Sequence, residues 1–274
     1  MAGLRVATWN CQHGRPLPDR LGDAVAALDV DVLAMQEVDR GSRRTEGRDL
    51  AALAQESFGG ALEWAGALTL DGGGEYGNAL LVRGELRNAE VVRLPGPRRG
   101  RAREPRVALV ADVLPDDERA TGRWWTVAVT HLTTDRRAAT AQLVALLDAL
   151  RARPAPRVLL GDLNMEPVHL LPILTAEGYR LAVGPLTHPA HRPRRQIDHV
   201  AVAGRDCTVT VVGTLELPVG DHRALIADLH CPDLRHGKVA RRLGATPADG
   251  AAAAGSGPSG ATRADHGASA TPSL

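Results

Sequence analysis

Arg157-Val158-Leu159-Leu160-Gly161-Asp162-Leu163-Asn164 is the stretch whose reading decides the fold. Pro154 and Pro156 stop any helix before it, and the apolar run that follows has the length of a buried strand. Asp162 and Asn164 then place a carboxylate and an amide just past the end of that strand. Taken alone, Asp162 reads as a loop cap. Its company along the chain changes that reading.

Immediately upstream, residues 135–151 carry Leu143, Leu146, Leu147 and Leu150 on one helical face, with Thr134 or Asp135 as the N-cap. Helical spacing recurs over 20–28 and 50–58. Strand-like runs occupy 4–8, 31–35, 78–82, 107–113, 124–129, 199–202, 209–212 and 224–228. Strands thus come both paired and separated by helices, which predicts an α/β arrangement of sheets covered by helices. Residues 1–232 form one domain on this reading. Residues 233–274 are expected to be a disordered tail, because its Ala, Gly, Ser, Pro and Thr cannot bury enough apolar surface to offset ordering entropy. The basic stretch 235–242 inside it reads as solvated.

The formal net charge is only +1, so no global field draws the chain to nucleic acid or an anionic membrane. Cys11, Cys207 and Cys231 form an odd, widely spaced set, which argues against a disulfide framework and a zinc knuckle. No basic-then-apolar leader and no apolar run of transmembrane length are present, so a monomeric cytoplasmic protein without a membrane span is the expectation.

Polar residues cluster at the strand ends. Asn10, Gln36 with Glu37, His131, Asp162 with Asn164, Asp198 with His199, and Asp221 with His222 all sit there. If those ends meet at one rim, they build an oxygen-rich pocket without a thiolate, which suits Mg²⁺ (or Mn²⁺) better than zinc. Chemistry at phosphorus needs such a cation, a base for water, and donors around the transition state.

The segments Thr8-Trp9-Asn10, Gln36-Glu37, Tyr76-Gly77-Asn78-Ala79, Thr130-His131-Leu132, Gly161-Asp162-Leu163-Asn164, Gln196-Ile197-Asp198-His199 and Gly220-Asp221-His222-Arg223 carry a resemblance. In this order the chain resembles the endonuclease/exonuclease/phosphatase superfamily of metal-dependent phosphoesterases, related to DNase I and exonuclease III. The resemblance implies a four-layered α/β sandwich, two central mixed sheets flanked by helices. It implies Glu37 as principal metal ligand, with Asn10 and Asp221 beside it. Asp162 would activate water, Asn164 would hold a phosphate oxygen, and His222 would stabilise the transition state with Asp198 fixing its tautomer and charge. His131 would contact phosphate or assist the leaving group, and Asn78 would bind phosphate or support the ligands. Gln12 departs from the pattern, since many nuclease members carry a carboxylate there; a single metal, or one using a different acid, is therefore expected.

Other residues read as ordinary. His13, His169, His188 and His191 are taken as surface or loop residues, and Trp124 and Trp125 as packing. Arg98, Arg99, Arg101 and Arg103 read as a solvated loop, whereas Arg106 opens a strand and is a candidate phosphate contact. Residues 192–195 could meet a substrate anion. The expected partner is a phosphate ester, with nucleic acid as one candidate. Nuclease-like phosphodiester hydrolysis leads. A phosphomonoesterase or a lipid or inositol phosphate phosphatase follows, and an inactive binding module is the reading from another class.

Overall fold

Among the described residues, twelve strands and four α-helices follow one another as β1 (Leu4–Asn10), α1 (Leu21–Ala26), β2 (Val32–Arg40), α2 (Leu50–Phe58), β3 (Ala61–Thr69), β4 (Glu75–Val82), β5 (Gly84–Arg93), β6 (Val107–Pro115), β7 (Trp125–His131), α3 (Arg136–Arg151), β8 (Arg157–Asp162), α4 (Pro167–Ala176), β9 (Tyr179–Leu181), β10 (Asp198–Ala203), β11 (Thr208–Leu215) and β12 (Ala224–His230). The computed structural model describes residues 3–96 and 104–232. The expected tail, with its basic stretch, and the arginines at 98, 99, 101 and 103 lie outside the described residues.

Two six-stranded sheets result, in the orders β11-β12-β1-β2-β4-β3 and β5-β6-β7-β8-β10-β9. Each is mixed, with a central parallel pair, β1 with β2 and β7 with β8, among antiparallel neighbours. Side-chain alternation along the strands then makes three cores. Val6, Val32, Ala34 and Leu80 of one sheet pack with Leu109, Val127, Val129, Leu160 and Val200 of the other. On the outer side of the first sheet, Ala7, Trp9, Leu33 and Met35 meet Leu21 and Val25 of α1 and Leu50, Ala54 and Phe58 of α2. On the outer side of the second, Val110, Ala128 and Leu159 meet Leu143, Leu146, Leu147 and Leu150 of α3 and Leu170 and Leu174 of α4. The expected four-layered sandwich is present. Asp135 caps α3, accepting from Ala138 N at 2.9 Å, as predicted.

Three of the elements without a sequence prediction, β3, β5 and β9, are sheet edges. An edge strand meets fewer neighbours and needs no continuous apolar run; β5 is mostly exposed. The fourth, α4, carries Pro167 at its start and Pro172 inside, which obscures its helical pattern.

One expectation is corrected. Cys207 and Cys231 are disulfide-bonded, and Cys11 is buried and free. The separation of 24 in sequence conceals a register: Thr208 of β11 lies opposite His230 of β12, so the flanking cysteines meet at the hairpin's open end. No helix among the described residues is long and apolar enough to cross a membrane.

Candidate active site

Four strands end in the same way. On the face turned to the other sheet, every second residue is apolar or small until the last position, where a polar side chain takes over. The series are Val6-Thr8-Asn10 in β1, Val127-Val129-His131 in β7, Val158-Leu160-Asp162 in β8 and Val202-Val200-Asp198 in β10. In β4 the polar residue, Asn78, comes within the strand, after Val82 and Leu80 and before Tyr76 on the same face. All five polar residues are buried. The site is thus the polar end of the inter-sheet core, positioned by strand geometry alone.

Glu37 reaches this site by a different device. Alternation from Leu33 and Met35 would turn it outward to α1 and α2. Instead the β2–β4 register slips between Met35 and Val38, Glu37 takes φ +58°, and Val38 joins the outer core in its place. A β-bulge of this kind re-aims one side chain.

Gly161 lets β8 approach β7. Its φ is +154°, and a Cβ there would lie 2.0 Å from the Thr130 carbonyl oxygen. Just beyond, Asn164 has φ +52°; its backbone N–H donates to Asp162 Oδ1 at 3.0 Å, and its Nδ2 donates to Leu132 O at 2.9 Å.

Asp162 is the hub. Its Oδ2 accepts from Asn10 Nδ2 at 3.1 Å and lies 3.4 Å from His131 Nε2 and 3.8 Å from His222 Nε2. Asn10 Nδ2 also donates to Glu37 Oε1 at 3.0 Å. Arg106 Nη1 lies 3.0 Å from His131 Nδ1. A guanidinium can only donate, so Nδ1 accepts and Nε2 carries the hydrogen that faces Asp162. Tyr76 OH stands 3.4 Å from the same Nδ1. On the opposite side, His222 Nδ1 is 2.8 Å from Asp198 Oδ2.

These contacts separate the protonation states. Burial pushes the Asp162 carboxyl up to about 7, reinforced by the charge of Asp198. Burial works against a charged His222, but the Asp198 carboxylate, by charge and hydrogen bond, lifts it to about 9. Burial and the Arg106 cation hold His131 at about 3, so it is neutral. Burial opposes an ionised Glu37 as well, yet contacts with His13 and Asn10 keep it down to about 2. The site therefore contains a neutral and a cationic histidine, each beside the same aspartate.

The sequence candidates fall into two groups. Asn10, Glu37, Arg106, His131, Asp162, Asn164, Asp198 and His222 are linked by the contacts above. Asp221 sits on the far side of His222, where Gln12 Nε2 donates to its Oδ2 at 3.0 Å. Asn78 directs its amide to Val107 O at 3.1 Å, lacing one sheet to the other. Sequence reading missed His13, whose Nδ1 lies 3.6 Å from Glu37 Oε2; nearness to Asn10 was the one signal. It also missed Tyr76 and His188, the latter set against His222 with ring centroids 4.6 Å apart and the ring planes tilted by 47°. Nothing local marks His188, which comes from a loop. Beside Asn164, a cavity of about 420 Å³ is lined by Thr134, Arg136, Met165, Glu166, His169 and Arg195.

Residues 7–222 match the sequence profile of the Endonuclease/Exonuclease/phosphatase family. The chain belongs to that family. Hydrolysis of phosphate esters is the family's reaction class, and the chain is accordingly a phosphoesterase. No curated protein matches it in sequence. Solved structures share the fold. An endonuclease/exonuclease/phosphatase from Beutenbergia cavernae is 23% identical with a TM-score of 0.64, over 84% of this chain and 72% of that one. The human Nocturnin catalytic domain with bound sulfate is 19% identical with a TM-score of 0.63, over 84% and 93%. The Bacteroides thetaiotaomicron mannosyl-6-phosphatase is 16% identical with a TM-score of 0.61, over 83% and 100%.

Proposed function

We propose that the protein hydrolyses phosphodiesters, in nuclease-like fashion, with the help of Mg²⁺ or Mn²⁺. The observation that carries this reading is the set Glu37, Asp162 and Asp198, three carboxylates brought together with His222 in one buried pocket. Such a concentration of negative charge suits a cation. Asp198 Oδ1 is buried without a hydrogen-bond partner, and burial together with the Asp198 charge holds the Asp162 proton up to about 7. Glu37 would be the principal ligand. Asn10 would join it by turning its amide to offer Oδ1, and the half-exposed Asp221 is the further candidate. A bound divalent cation supplies Lewis acidity, neutralising charge on phosphate oxygens and lowering the pKa of water.

The chain's own groups account for the rest. Asp162, once ionised, accepts a proton from the attacking water or orients it, and the Asn164 backbone N–H holds its Oδ1 in place. His222 presents a charged Nε2–H to the developing negative charge on phosphorus oxygens, anchored through Nδ1 by Asp198. Asn164 keeps one amide hydrogen after bonding Leu132 O, and we assign that hydrogen to a phosphate oxygen. His131, neutral with its hydrogen on Nε2, can donate to phosphate or to the leaving oxygen. Arg106 sets that tautomer and adds positive charge, and Asn78 supports the site from the inter-sheet side. The arginine-lined cavity beside Asn164 supports a diester, because it offers room and charge for the second arm of the substrate.

Initial rates on bis-p-nitrophenyl phosphate and p-nitrophenyl phosphate, with Mg²⁺ or Mn²⁺, test the proposal. The diester should be turned over, and Asp162→Ala and His222→Ala should each lose about 10²–10⁴-fold. Equal background rates in wild type and both variants would leave only a binding module. Faster turnover of the monoester would replace the diesterase by a phosphatase. The reading keeps a monomer, whereas the Cys207–Cys231 bond favours an oxidising compartment over the cytoplasm.

A further inference from the structure

His188, Asp221 and His222 converge on the solvent side of the site, and His188 has no part in the reaction proposed above. One ligand atom from each lies within 4.8 Å of the other two. His222 Nε2 is 3.8 Å from Asp221 Oδ1, and His188 Nε2 is 3.9 Å from Asp221 Oδ2. Around a tetrahedral zinc with bonds near 2.0–2.1 Å, ligand atoms stand roughly 3.3 Å apart. The gap to be closed is therefore on the order of 1 Å. His188 and Asp221 have side chains 32% and 42% exposed, so they are free to close it.

The donor set differs in kind from the one around Glu37. Two imidazole nitrogens and one carboxylate suit a borderline ion such as Zn²⁺, whereas Mg²⁺ prefers oxygen. The outer shell is also in place. His222 gives Nδ1 to Asp198 at 2.8 Å, the carboxylate–histidine arrangement that orients a ligating imidazole and leaves Nε2 for the metal. Gln12 donates to Asp221 Oδ2 at 3.0 Å and steadies the carboxylate without adding charge. Two histidines, one carboxylate and an open fourth position is a recurrent zinc arrangement.

We propose that His188, Asp221 and His222 form a Zn²⁺-binding site whose occupation shuts off the enzyme. Zinc on Nε2 of His222 would displace the proton that faces the phosphate and would also take Asp221. The inhibition rests on the role given to His222 above; the binding itself does not.

The experiment uses the full chain with Mg²⁺ held at a fixed excess. Zinc is titrated calorimetrically into wild type, His188→Ala and His188→Asn, and turnover of bis-p-nitrophenyl phosphate is followed in parallel. Wild type should bind one Zn²⁺ that both variants bind about tenfold or more weakly. Both variants should keep turnover without zinc within about threefold and lose sensitivity to zinc by the same factor as affinity. Co²⁺ in place of Zn²⁺ should give visible absorption bands in wild type that His188→Ala lacks. Equal zinc affinity in wild type and both variants, or no zinc bound by wild type, would overturn the site. Zinc bound through His188 without loss of turnover would overturn the inhibitory role. Absence of turnover in zinc-free wild type counts against the phosphodiesterase reading, and the calorimetry still decides the site.

Discussion

At the scale of single residues, Asp162 and His222 face each other at 3.8 Å and both hold protons more tightly than they would in an unfolded chain. Asp162 stands at about 7 against an ordinary 3.8, and His222 at about 9 against 6.5. A raised folded-state pKa stabilises the fold fully below the unfolded value, and that stability is lost as pH rises through the folded value. In EDTA, Tm should therefore fall with pH in two stretches, roughly pH 4–7 for Asp162 and 6.5–9 for His222. Asp162→Asn should remove the lower stretch and keep the upper one, which Asp198 chiefly sets, and at pH 8 its Tm should equal or exceed that of wild type while turnover drops by about 10²–10⁴-fold. An unchanged melting profile in that variant would refute the account of the carboxyl's burial. Asp198→Asn acts through its neighbour. With the carboxylate gone, burial is opposed only by the smaller pull of Asp162 and Asp221, and the His222 pKa should fall from about 9; an NMR titration of the imidazole reads this directly. Activity should fall with it and lose its upper pH limit near 9. A His222 that still titrated near 9 would show that Asp198 does not hold its charge.

At the scale of elements, the site depends on two departures from regular strands. One is the bulge that turns Glu37 inward; the other is Gly161, where β8 crosses close to β7. Gly161→Ala would set a methyl 2.0 Å from the Thr130 carbonyl oxygen in a backbone conformation that disfavours side chains. A cost of about 3 kcal/mol or more is expected, with a Tm drop of roughly 6–12 °C in a domain of this size. Because Asp162 is the next residue, turnover should fall even in the fraction that stays folded. Thermal melting within about 1 °C of wild type would mean that the strands separate freely there. Neither departure is visible in residue type alone: Gly161 reads as a strand-end glycine, and Glu37 has the parity of an outward residue.

Across the whole molecule, the two sheets bring together polar strand ends that are as far apart in sequence as Asn10 and Asp198. Packing them costs stability chiefly at Asp162, a carboxylate removed from water beside the charge of Asp198. A cation bound there should give that stability back. At a hundredfold excess over its Kd, Mg²⁺ or Mn²⁺ should contribute about 2.7 kcal/mol, a Tm rise of roughly 5–10 °C. Glu37→Gln should abolish most of the rise. No rise in wild type with either ion would leave the carboxylates without their proposed cation.

By itself the sequence determined the layered α/β architecture, the capped helix Arg136–Arg151, and the strand-end positions of Asn10, His131, Asp162, Asn164, Asp198 and His222. These are local properties, read from apolar periodicity and from polar residues that interrupt it. Only the tertiary structure decided that Glu37 points inward, that Arg106 and Tyr76 fix the tautomer of His131, that Cys207 meets Cys231, that His13 meets Glu37, and that His188 lies against the outer side of His222. Each of these depends on register between distant strands or on where a loop returns. Pairing energy is shared over whole strands, so no residue in either partner announces which residue it will face.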